Sequence, residues 1–301
     1  MHLGCVSYNL LKDWDLETLI TKLEQAGFDV NGMPAFFGRL QRATRLVENN
    51  APAYLRTHPL SGERMADLEN RAANVRYRQR ADSREFFLVR GKIRSLMGSP
   101  RDAVAAIEGQ IKDRRFIDEG SARFGLAHAL LRARDFKRAE AELTQAKKLS
   151  GEHPMFDTLA ARLRLAQGQG NEARAILTQS IKDNQRRPYL LFAYAETLQT
   201  MGLHREAVEA FEELARSRPR DGRVWAMQAK SYAQLDRRAL QHRSQAEAYA
   251  LQGSFPAAIE QLRLAQRAGD ADFYLASTID SRLRALRAQE LEEKRDQREM
   301  R

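Results

Sequence analysis

A small residue returns at a fixed interval along most of this chain, and that interval constrains the fold more than any other feature. Ala103, Ala139, Ala173 and Ala207 are spaced 36, 34 and 34 residues apart. Twelve residues ahead of each stands a second small residue: Gly91, Ala127, Ala161 and Ala195. Such a period is the signature of stacked helix pairs, in which each unit buries its apolar face only against its neighbours. Small residues at fixed positions in both helices mark where two backbones cross closely, because a Leu there would force the helices apart.

The remaining residues follow the same frame. Leu126 and Ala127 open one unit, Asp135 and Phe136 mark its turn, and Ala139, Leu143 and Ala146 continue its buried face. Gly168 falls at the next turn and Gly202 at the one after, followed by Ala207, Phe211 and Pro219; Trp225, Ala229 and Tyr232 begin a further unit. The chain is rich in Ala, Leu, Arg, Glu and Gln, all good helix formers, and neither period-two alternation nor β-branched runs appear between Ser83 and Arg287. An all-α fold without strands is therefore predicted. Near the C-terminus the frame slips by half a unit, since Ala246, Tyr249, Gly253, Phe255 and Ala258 repeat the pattern 17 residues after Ala229. A helix near 239–251 is then expected to serve as second helix of one pair and first of the next. A last helix from about Phe273 to Leu286 caps the stack, and the charged stretch from Gln289 to Arg301 reads as a frayed helix end or a disordered tail.

This pattern resembles the tetratricopeptide repeat, whose W, small, Y, A, F and P positions are all represented, though never in one unit. The resemblance covers about two thirds of the sequence. It implies a helix-pair superhelix, an α-solenoid that holds another polypeptide along the concave face lined by its first helices. By the same resemblance, the residue after each small crossing position points into that groove. Here those residues are Lys92, His128, Arg162, Glu196 and Lys230, a mainly cationic row suited to an acidic extended segment or a free C-terminal carboxylate. They read equally well as solvated charges on an open face.

The first eighty residues lie outside the repeat. Short helices are predicted over Asp15–Ala26, over Met33–Asn49 entered through Pro34, and over Gly62–Ala73 capped by Ser61. The phrases from Ala26 to Asp29, Met33 to Phe37 and Thr57 to Arg64 resemble, in family order, the segment that follows the catalytic core of bacterial HExxH zinc metallopeptidases with C-terminal tetratricopeptide repeats. The β-barrel assembly-enhancing proteases are the family meant. The resemblance implies zinc in the catalytic half, a periplasmic location, and partners among unfolded outer-membrane proteins or their assembly machinery. Zinc hydrolysis of that type needs two His one helical turn apart, a Glu beside the first, and a third ligand on a later helix. The six histidines here are His2, His58, His128, His153, His204 and His242; none is followed by Glu and no two are four apart. Trp14 stands where the family places its third ligand, with Glu17 nearby but out of register. The residues from Met1 to about Thr21 depart from the family, as a truncation, a wrong start or a frameshifted remnant would. The chain therefore reads as inactive alone, with no cofactor of its own. His58 reads as a surface-loop residue, able to approach a metal only beside a catalytic domain.

The division expected is a helical stub over 1–73, the repeat array over 74–290 and a charged tail over 291–301. A net charge of +10 admits nucleic acid, a membrane surface or acidic protein as partner, but no recurring pair of base-reading side chains per unit accompanies it. Cys5, the lone cysteine, excludes an internal disulfide. No apolar run is long enough to span a membrane, and the sequence as it stands shows no export signal. Three functions follow: a protein-interaction module, a metalloendopeptidase whose catalytic half lies elsewhere, and a basic helical-repeat nucleic-acid binder.

Overall fold

The computed structural model describes residues 16–32, positions 35, 38, 66, 69 and 70, and residues 81–299. The protein divides into two compact units, Met1–Phe87 and Leu88–Arg301. In the first, α1 (Leu16–Gln25) matches the helix predicted from Asp15, and it ends at Gly27, whose φ of 75° suits the left-handed turn. Among the described residues Ile20 and Val30 are buried there, and the Asp29 carboxylate accepts from the backbone N–H of Asn31 at 3.0 Å. The helices predicted over Met33–Asn49 and Gly62–Ala73 fall for the most part outside the described residues, and His58 does so entirely.

The second unit is a helical-repeat solenoid. Its helices are α2 (Arg84–Ser95, which begins ahead of the division), α3 (Pro100–Lys112), α4 (Glu119–Arg132), α5 (Phe136–Ser150), α6 (Pro154–Ala166) and α7 (Gly170–Asp183). There follow α8 (Pro188–Thr200), α9 (His204–Ser217), α10 (Gly222–Gln234), α11 (Arg238–Leu251), α12 (Phe255–Arg267) and α13 (Phe273–Glu299). No strand occurs among the described residues. Local chemistry sets the helix starts. Ser99 and Asp102 form a capping box on α3 behind Pro100, Asp118, Asp135 and Asp221 cap α4, α5 and α10, and His153 Nδ1 accepts from Met155 N at 3.2 Å to start α6. Within most pairs a three-residue turn has its middle residue in the left-handed region: Arg134, Gly168, Gly202, Asp236 and Gly253.

The alanines that define the repeat are the seams of the core. Ala127, Ala139, Ala161, Ala173, Ala195 and Ala207 have no exposed surface, and Ala103 and Ala229 have almost none. Leu, Phe and Ile side chains such as Phe124, Phe156, Leu177, Phe211 and Leu262 fill the space between the seams. At Gly91 the close neighbour is not the paired helix α3. A Cβ there would lie 2.5 Å from the Ser121 carbonyl oxygen, and one on Gly125 would lie 2.8 Å from the Gly91 oxygen, so α2 crosses α4, the first helix of the next pair.

The half-unit slip has a physical anchor. Arg237 supplies α11 with no cap from its own side chain, and the Asp270 carboxylate from the α12–α13 connection accepts from Ala239 N at 2.9 Å instead. Helix α11 packs on both α10 and α12. The last helix is longer than its predicted extent from Phe273 to Leu286: α13 runs without a break across position 290, its charged residues being good helix formers, with Lys294 paired to Glu290 one turn back.

Candidate functional site

First helices of successive pairs pack on one another, α4 on α6, α6 on α8 and α8 on α10, so one surface of the second unit is built from first helices. Lys92, His128, Arg162, Glu196 and Lys230 lie on α2, α4, α6, α8 and α10 respectively. Their environments differ. Arg162 Nη2 donates to Glu196 Oε2 at 2.9 Å, an ion pair joining equivalent positions 34 residues apart. Lys92 is half-buried, and burial, with Arg162 and Arg223 as neighbouring cations, lowers its pKa from the ordinary lysine value while Glu196 acts in the opposite sense. Lys230 is exposed.

His128 departs from the expected groove cation. Only 7% of it is exposed, its ring meets Phe124 edge-on with centroids 4.7 Å apart, and its Nε2 is buried without a hydrogen-bond partner. Burial first, then the positive charges of Lys92 and Arg162, hold its pKa well below the ordinary histidine value. It is a neutral packing residue between two cations.

Arg223 belongs to this surface although the frame did not single it out. Its guanidinium lies 5.4 Å from the ring centroid of Phe192 on α8, is fixed by Asp221 at 3.0 Å, and feels Glu196. It stands two turns before Lys230 on the same face of α10, a spacing visible in the sequence. The surface thus presents Lys92, Arg162 and Arg223 with two carboxylates, Glu196 and Asp221, beside the half-buried Phe192.

The tetratricopeptide repeat family model matches residues 164–231, which run from α6 into α10. The helix pairs of this stretch are similar to tetratricopeptide repeats. The protein is 25% identical over 291 residues to the β-barrel assembly-enhancing protease of Escherichia coli K12, a match that takes in 94% of its own length and 58% of that relative. The protease of the same name from Yersinia pestis is 23% identical over 258 residues, covering 85% and 53%. The chain therefore spans little more than half the length of the curated relatives it matches. Among solved structures, MamA from Desulfovibrio magneticus RS-1 aligns with a TM-score of 0.41 and 13% identity over 57% of this protein and 97% of that one. Among the described residues no group of three or more His, Cys, Asp or Glu side chains could hold a metal ion. No helix of the described residues is long and apolar enough to cross a membrane.

Proposed function

We propose that this protein is the polypeptide-holding repeat portion of a zinc-metallopeptidase-type protein of the bacterial periplasm, and that its first-helix surface takes acidic extended segments of outer-membrane proteins or of their assembly partners. The location and the assembly role rest on likeness to relatives named β-barrel assembly-enhancing proteases. The docking surface rests on one observation: Lys92, Arg162 and Arg223 come from three separate units, and the two arginines lie close enough to Lys92 to disfavour its charge, with Glu196 and Asp221 the carboxylates beside them. Cations held together in this way gain from an incoming carboxylate, through charge-assisted hydrogen bonds and relief of mutual repulsion.

The test is binding of a fluorescein-labelled acidic peptide with a free C-terminus to the full-length protein, followed by fluorescence anisotropy. Replacing Lys92, Arg162 and Lys230 together by Ala is expected to weaken binding about tenfold or more and to flatten its salt dependence, while far-UV circular dichroism stays unchanged because partly exposed charges contribute little to folding. Full binding by the triple variant would exclude this surface.

A further inference from the structure

The other face of α10 bears a second site. Trp225, Gln228 and Tyr232 lie on the side of the helix opposite Arg223 and Lys230, and with residues of α9 and α11 they enclose a pocket of about 240 Å³. That is below the roughly 300–1,000 Å³ of pockets for drug-sized ligands, and suits a single side chain or a peptide end.

The charges of this pocket are arranged unusually. Glu212 and Arg216 are four apart on α9, a spacing at which such residues commonly pair. Instead Glu212 Oε1 accepts from the Tyr232 hydroxyl at 2.8 Å. Burial first, then this hydrogen bond, pushes the Tyr232 pKa far above the ordinary phenol value, so the hydroxyl remains a donor and keeps the carboxylate engaged. Arg216 and Arg243, which both line the pocket, are left without an ion pair among the described residues. Gln228, which lines the same pocket, is 3% exposed, and its Oε1 accepts from Ser244 Oγ at 3.0 Å. With that oxygen engaged, the Nε2 donors are what the Gln228 amide has left for a ligand of the pocket it lines. Trp225, held by donation from Nε1 to the Pro219 carbonyl at 2.9 Å, makes an apolar wall with Leu240.

Two guanidiniums without ion pairs and one amide donor, lining a single pocket with Trp225 and Leu240, suit a small planar anion. We infer that the α9–α10–α11 pocket binds a peptide carboxylate, either that of an Asp or Glu residue or that of a free C-terminus, independently of the first-helix surface. Tyr232 is the positioning residue, because it diverts Glu212 from Arg216.

The protein has two tryptophans, so Trp14→Phe leaves Trp225 in the pocket wall as the fluorescent reporter. In that background, N-acetyl-glutamate N-methylamide and N-acetyl-alanine present a side-chain and a terminal carboxylate respectively. At least one is expected to give a saturable fluorescence change, and which one does distinguishes the two sources. Affinity should fall about tenfold in Arg216→Gln/Arg243→Gln, rise in Glu212→Gln, which keeps an acceptor for Tyr232 but removes the competing charge, and stay constant in Lys92→Ala/Arg162→Ala. Absence of a saturable change with both probes overturns the inference, as does binding unaltered in the double arginine variant or lost in the lysine–arginine variant. Tighter binding of inorganic phosphate than of either carboxylate overturns the ligand class. Should the double arginine variant unfold, an unchanged or lower affinity in Glu212→Gln overturns the inference independently.

Discussion

Gly91→Ala probes the closest backbone approach in the array. The new Cβ would lie 2.5 Å from the Ser121 carbonyl oxygen, whereas ordinary contact begins at 3.4 Å, so α2 and α4 must separate by about 0.9 Å along that line. The obstacle is the Ser121 backbone carbonyl, which cannot swing aside as a flexible side chain would, while the Gly125 N at 3.5 Å is in ordinary contact. Overpacking of this kind costs roughly 1–3 kcal/mol, while Ala returns about 1 kcal/mol of helix propensity over Gly, for a net loss of about 0–2 kcal/mol. Gly109 on α3 supplies the control, since nothing lies within 4 Å of a Cβ built there and Gly109→Ala gains only the propensity. The difference between the two variants isolates the crossing, about 1–3 kcal/mol. Urea unfolding followed by circular dichroism measures it. Amide exchange in α2 is needed as well, because a helix near the end of a stack can detach without global unfolding. If Gly91→Ala is as stable as Gly109→Ala, with α2 amides exchanging no faster than in wild type, the close-crossing argument is refuted.

Ala139→Leu and Ala207→Leu, at positions with no exposed surface, should each cost roughly 1–3 kcal/mol; unchanged melting temperatures in both would mean that the seams are misassigned. Asp236 holds φ at 53°, and its ion pair with Arg238 is largely solvent-exposed. Relief of about 1–2 kcal/mol of left-handed strain, set against about 0.5–1 kcal/mol of added backbone entropy, makes Asp236→Gly stabilising by about 0–1.5 kcal/mol, and a lowered melting temperature would contradict this. Because burial and its cationic neighbours depress the His128 pKa, the unfolded state takes up a proton below about pH 6.5 that the folded state refuses. Stability then falls with pH below that point, by up to about 1.4 kcal/mol per unit, and His128→Leu should remove this component; identical pH slopes in wild type and variant between pH 8 and 5 would dismiss it.

The seams were legible because small residues at a helix crossing are required by sterics alone, and every one of the alanines read from the spacing proves buried. Recurrence does not reveal the neighbour, however, and at Gly91 that neighbour is the next first helix and not the paired second helix. The turn glycines told only part of the story. Gly168, Gly202 and Gly253 mark the left-handed position, but Arg134 and Asp236 occupy the same position in other pairs with nothing in their identity to announce it. On the first-helix surface, His128 has the same sequence position as Lys92 and Arg162, yet it is driven inward against Phe124. The pocket was not visible in the sequence, since it needs three helices and a tyrosine that takes Glu212 from its i+4 arginine.

Ion pairing elsewhere explains why these two places stand out on a protein of net charge +10. Along the stack many arginines meet carboxylates of neighbouring helices: Arg138 with Glu108, Arg164 with Glu140, Arg174 with Glu206, Arg186 with Glu213, and Arg282 with both oxygens of Glu247 at 2.7 Å. Each such partly exposed pair is worth about 0–1 kcal/mol, so together they neutralise the surface more than they hold it together. Pairing is outnumbered where Lys92, Arg162 and Arg223 meet Glu196 and Asp221, and fails among the described residues at Arg216 and Arg243, which line the pocket with Gln228. On the proposed reading the excess charge acts on binding and not on folding. Salt that screens exposed charges should reduce anion capture at both places while leaving the alanine seams, which carry no charge, to hold the helices in register.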